Sequence, residues 1–256
     1  MKWKMSQEFL ENWNEAKRLE EQGHKFFQEC QYQIAAEKHQ AAAERFKKLL
    51  GYIDISDEQN HEGIRKRVLG NYHIELANYY HSLATFYFYR GDKEAALTNY
   101  QHAIEEQKKS IQEYETLKDK EQYMHEINSL KIVLHFYLAY ENLCLAQLAF
   151  LDEQYAMAIE YFKTAEIHTN LEIEFIAEIN DLERLKRARA RLFYVKGQIS
   201  RTEALLAIQN AKREDAKRKY LEASSFFEDA SKLYPEWDEY KKLAQKAKKM
   251  AKAIRT

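Results

Sequence analysis

The chain has 256 residues, enough for a sizeable core in one or two domains, yet it contains only one proline and six glycines. A β-sandwich or α/β fold of this length needs many more turn-forming residues, so the composition excludes both and points to helices joined by short connections. Net charge is −1, but residues 183–256 hold 20 basic and 10 acidic side chains, which leaves −11 on residues 1–182.

Apolar residues recur every three or four positions almost throughout, which is the helix period. The spacing predicts a first helix capped by Ser6 and running to about Glu29. A second runs from Tyr32 to Leu50, with Gly51 as its left-handed stop. Ser56 or Asp57 opens a third, long helix that reaches Arg90 and can bend at Gly63 or Gly70. Gly91-Asp92 forms a turn and cap, and the fourth helix ends near Leu117. A fifth spans Asp119 to Leu151, and a sixth runs from Asp152 to His168. One continuous seventh helix is expected over 171–210, because Ile176, Ile179, Leu182, Leu185, Ala188, Leu192, Val195, Ile199 and Leu206 keep one stripe. An eighth covers Asp215 to Leu233. Pro235 sits at the first turn of a ninth, ending at 254.

Four blocks align on self-comparison. They are Phe26-Phe27 with Gln31-Tyr32 and Ala35; Tyr87-Phe88 with Gly91-Asp92 and Ala96; Phe150 with Gln154-Tyr155 and Ala158; and Lys219-Tyr220 with Ala223. The four alanines are separated by 61, 62 and 65 residues. Aromatics followed by a small residue early in a second helix let two antiparallel helices approach closely. In this pattern the chain resembles the tetratricopeptide repeat (TPR) family, although that family repeats every 34 residues and the hairpins here must be longer. The resemblance implies an all-α, right-handed superhelical array within a single domain, 1–256. Its hairpins are placed at 6–50, 57–117, 119–168 and 171–233, with a capping helix at 236–254.

No motif for catalysis stands out. Glu58-Gln-Asn-His61 has a di-iron-like spacing without the partners such a site needs, and no zinc, phosphate-loop or nucleophile-elbow motif occurs. Catalytic residues, cofactor and metal are therefore read as none, and no small-molecule substrate is inferred. Cys30 and Cys144 read as reduced, mostly buried thiols of a cytoplasmic protein. No apolar run approaches a membrane span, and neither a membrane nor a signal peptide is expected.

Two surfaces are candidates for binding. By the TPR resemblance, Phe27, Phe88 and Phe150 face a concave groove with Asn78, His81, Thr85, Tyr89 and Gln147, suited to an apolar or helical peptide. A basic face is formed by Arg184, Arg187, Arg191 and Arg201 opposite the apolar stripe of the seventh helix, followed by Lys217, Arg218 and Lys219. The expected function is a non-catalytic adaptor, scaffold or regulatory subunit that binds a protein or peptide, with self-association of acidic and basic ends as one form of it. The alternative is nucleic-acid binding through the basic C-terminal third. Without a recognised nucleic-acid motif, this is the lesser reading.

Overall fold

The computed structural model describes residues 7–53 and 58–254; of Glu58–Asn60 it describes the backbone alone. The caps expected at Ser6, Ser56 and Asp57 lie outside the described residues. Among these residues there are α-helices, one short 3₁₀ turn and no strand. The fold is all-α, as its sparse proline and glycine require.

The helices are α1 (Gln7–Gln28), α2 (Tyr32–Leu50), α3 (Glu58–Arg90), α4 (Lys93–Glu115), α5 (Met124–Leu151), α6 (Tyr155–Glu178), α7 (Leu182–Gln209), α8 (Arg213–Leu233) and α9 (Asp238–Ala253). Two compact units divide within α5, residues 1–137 and 138–256. In the first unit α1 packs on α2, α2 on α3 and α3 on α4, and the start of α5 meets α4 through Ile111, Tyr114, Leu117, Ile127 and Leu130. In the second, the end of α5 meets α6 and α7 through Leu143, Ala146, Ala149, Phe162 and Val195, and α7, α8 and α9 follow in sequence.

Four turns share one construction. Cys30, Gly91, Glu153 and Ala211 each take a positive φ, between 56° and 85°. Around each, two backbone bonds close the preceding helix. At the first turn these are Cys30 N–H to Phe27 O at 3.0 Å and Gln31 N–H to Phe26 O at 2.9 Å. The same pair recurs from Gly91 and Asp92, from Glu153 and Gln154, and from Ala211 and Lys212. This Schellman closure satisfies carbonyls that the helix end would otherwise orphan.

Counting from those turns exposes a deeper register. Fourteen residues before each stand Ala16, Ala77, Ala139 and Gly197, and seven before stand Gly23, Ala84, Ala146 and Ala204. Five residues after stand Ala35, Ala96, Ala158 and Ala216; twelve after, Ala42, Ala103, Ala165 and Ala223. All sixteen are buried. Small side chains a heptad apart give each first helix a flat seam against its partner. Large residues fill the space between seams: His39, Tyr100, Phe162 and Tyr220 all lie nine residues after their turns and all are buried. The alignment of Ala223 with Ala35 is thus corrected by seven residues, to Ala216. The error arose because Ala216, Ala223 and Ala230 line one buried face of α8 at heptad spacing and are interchangeable by eye.

Other expectations are also corrected. The continuous helix over 171–210 does not form, and α6 does not end at His168. Instead α6 runs to Glu178, Asn180 turns the chain at φ 56°, and the Asp181 carboxylate caps α7 by accepting from Arg184 N–H at 3.0 Å. The apolar stripe survives because both helices bury a face, so periodicity alone hides the break. Gly51 is right-handed at φ −72°, its N–H closing a tight turn on Lys48 O while Ile53 tucks into the core. Helix α3 passes Gly63 and Gly70 without interruption. Pro235 lies in the turn before α9, where it stops α8 rather than opening the next helix. Cys144 is buried but Cys30 is exposed, because the left-handed turn points it outward.

One stretch, 120–151, is long and apolar enough to cross a membrane by length and composition alone. Isolated polar residues such as Lys131 and Glu141 interrupt it, so it does not stand out as a run in the sequence. Ile127, Leu130, Ile132, Tyr137, Leu143 and Ala146 on this stretch are buried.

Candidate binding surfaces

In the first unit, the Schellman turns bring aromatic residues of two hairpins together. Phe27 at the end of α1 lies 5.1 Å from Tyr32, and Tyr32 stacks on Tyr89 at 5.8 Å between ring centroids. Tyr89 is edge-on to Phe88, and Phe27 also meets His81 at 4.7 Å. The rings form a connected strip. Phe27, Phe88 and His81 are half-buried, Thr85 is buried, and Tyr89 is 53% exposed. Phe88 is partly committed to its own turn: Lys93 places its ammonium 3.5 Å from the ring centroid and donates to Phe88 O at 2.7 Å.

Beneath the strip runs a polar chain. Tyr137 donates to Asn78 Oδ1 at 3.5 Å, Asn78 donates to Glu75 Oε1 at 3.4 Å, and Glu75 Oε2 lies 2.8 Å from His39 Nδ1. His39 and Glu75 are almost wholly buried, so the neutral forms are favoured. Burial drives the Glu75 carboxyl up to about 8 and the His39 imidazole down to about 4. Burial also lowers His81, to about 3, so its ring acts as a neutral aromatic surface among Phe27, Tyr100, Phe136 and Tyr137. Gly23 leaves room for this core, since a Cβ there would sit 2.6 Å from the His39 ring.

In the second unit, Phe150 sits 5.6 Å from Tyr155, with the Arg201 guanidinium 4.8 Å above its ring. The Tyr194 phenol is pushed upward by burial. Phe150 and Gln147 are half-buried.

The basic face is only partly a face. Arg191 is buried, ion-paired with Glu172 and stacked over Tyr140 at 5.5 Å. It belongs to the packed side of α7 with Ala188 and Val195, which a wider reading of the stripe would have shown. Burial disfavours its charge, but Glu172 more than compensates and holds the guanidinium protonated. Arg184 is exposed and pairs with its cap Asp181, Arg218 pairs with Asp215, and Lys219 lies between Glu203 and Glu222 at 2.7 and 2.9 Å. Arg187 is exposed, while Lys217 and Arg201 are half-exposed. Sequence reading missed the His39–Glu75 and Arg191–Glu172 pairs, because each joins residues of different helices.

Among the described residues, no cluster of three histidine, cysteine or carboxylate side chains is arranged to hold a metal ion. The Glu58 side chain of the Glu-x-x-His spacing lies outside the described residues, and His61 is buried.

No protein-family model matches the chain, and no curated protein matches it. Among solved structures, it is similar to the crystal structure of a de novo designed helical repeat protein. That match is 14% identical and covers 96% of this chain and 92% of the other, at a TM-score of 0.23. A score at that level carries no argument, and the fold rests on the helices and their packing described above.

Proposed function

We propose that this chain is a non-catalytic binding scaffold built from elongated TPR-like hairpins, which takes a protein or peptide partner on the aromatic strip of its first unit. The observation that carries this reading is the connected set Phe27, Tyr32, Phe88 and Tyr89, left half-buried or exposed at the junction of two hairpins. Aromatic side chains give large contact area at low conformational cost, and rigid neighbours hold these in place before a partner arrives. Sixteen small residues in fourfold register support the TPR-like reading, although the hairpins here are nearly twice the length of that family's repeat.

The nucleic-acid alternative is less well supported. Arg184, Arg191, Arg218 and Lys219 already face carboxylates, which reduces the cations open to a phosphate backbone.

The test is affinity purification from the native cell with the wild-type chain and with Tyr89→Ser, followed by calorimetry with each purified candidate. Tyr89 is exposed enough that Tyr89→Ser should unfold at nearly the wild-type temperature. It should bind the partner at least about tenfold more weakly, or about 1.4 kcal/mol. Equal affinity of the two proteins for every candidate would reject the strip as the binding surface.

A further inference from the structure

The second unit carries a cleft that neither the aromatic strip nor the packed core accounts for. Helix α9 buries Tyr240, Ala244, Ala247 and Ala251, and the Ser224 hydroxyl of α8 donates to Ala244 O at 3.1 Å. That contact fixes the rotation of α9. One step around the helix, Leu243, Lys246 and Met250 then face Arg201 and Leu205 of α7 across Tyr220 of α8. The space between them is about 110 Å³, on the scale of a single side chain.

Its charge is one-sided. The charged residues lining it are Arg201 and Lys246, and no carboxylate lines it. Arg201 is held by Gln198 Oε1 at 3.2 Å and by the Phe150 ring. Among the described residues neither Arg201 nor Lys246 forms an ion pair, whereas Lys219, on α8, has two glutamates. A half-exposed guanidinium with no carboxylate partner can take an incoming carboxylate in a charge-assisted hydrogen bond. Met250, at the mouth, is 38% exposed, and Leu205 and Leu243 are half-buried, so apolar surface is still open to cover. The outer side of α9 adds exposed Lys248, Lys249 and Lys252, which raise the local positive potential, while Lys242 pairs with Glu239.

We propose that the α7–α9 cleft docks an acidic segment of a partner protein, seating one aliphatic side chain among Leu205, Leu243, Ala247 and Met250 with flanking carboxylates on Arg201 and Lys246. This is a second site, independent of the aromatic strip. The apolar slot distinguishes it from a general polyanion surface: a nucleic-acid backbone would satisfy the cations and leave the slot unfilled.

The experiment is fluorescence anisotropy of the full chain with labelled twelve-residue peptides of Glu and Asp carrying one central residue, either Leu or Ser. At physiological ionic strength the Leu peptide should bind saturably and at least about tenfold more tightly than the Ser peptide. Lys246→Glu and Met250→Gln change exposed side chains and should keep the wild-type unfolding temperature. Each should weaken the Leu peptide at least about tenfold, whereas Tyr89→Ser should leave it unchanged. Absence of saturable binding, equal binding of the two peptides, or wild-type affinity in both cleft variants would overturn the proposal. So would displacement of the Leu peptide by an equal concentration of single-stranded oligonucleotide.

Discussion

At the scale of single residues, the buried Glu75–His39 pair makes the first unit sensitive to pH. Glu75 is raised to about 8 by burial, so the folded chain keeps a proton that the unfolded chain releases near the ordinary carboxylate value. Its contribution to stability is complete below that ordinary value and is lost as pH rises toward 8. His39, lowered to about 4, acts in the opposite sense: its contribution is present above the ordinary imidazole value and lost as pH falls through about 4. Glu75→Gln retains a donor and an acceptor but cannot ionise. Between about pH 5 and about pH 8, the wild-type unfolding temperature should therefore fall relative to that of Glu75→Gln. Parallel curves over that range would show that Glu75 does not hold its proton. Ala211 offers a second test. Its φ of 58° strains an L-residue, while its counterpart Gly91 does not. Ala211→Gly should raise stability by about 0.5–1 kcal/mol, the strain relieved less the entropy that glycine adds, as read from denaturant midpoints.

At the scale of helices, the hairpins depend on seams too narrow for a large side chain. Ala96 and Ala158 occupy equivalent positions in α4 and α6 and are fully buried. Ala96→Leu and Ala158→Leu should each cost about 1–3 kcal/mol by overpacking. Thermal unfolding checks this, and unchanged midpoints in both would refute the close-packed seam. Two glycines mark the same constraint: a Cβ at Gly197 would lie 2.5 Å from Phe227, and one at Gly70 would lie 2.5 Å from Tyr114. The helix boundaries were legible where a turn residue announced them, as at Gly91-Asp92. The end of α6 was not, because Asn180-Asp181 interrupts a stripe that continues in phase on the next helix.

At the scale of the whole molecule, charge is the property that sequence reports most directly. Residues 183–256 carry +10 and residues 1–182 carry −11. Phosphate binding would require many open cations, yet several are spent on internal pairs and α9 presents its lysines beside an apolar cleft. We expect no appreciable DNA or RNA binding at physiological salt. A gel-shift titration checks this: sub-micromolar binding that is lost on reversing Arg184 and Arg187 would instead establish the nucleic-acid reading.

The sequence by itself determined the all-α class, the four hairpin turns and the small residue after three of them, Ala35, Ala96 and Ala158, because these depend on local backbone preferences and on side-chain size within a few turns of helix. It also singled out Phe27, Phe88 and Tyr89, while the place of Tyr32 between Phe27 and Tyr89 came from the structure. Only the tertiary structure decided that Arg191 faces Glu172 rather than solvent, that His39 meets Glu75 beneath Gly23, and that Ala216 is the true counterpart of Ala35. It alone placed Arg201 across a cleft from Lys246. Heptad-spaced alanines look alike along one helix, and a polar side-chain pair between residues 19 or 36 positions apart leaves no periodic trace. Which side chains meet is settled by how one helix is rotated against the next, and that rotation is a property of the packed hairpins.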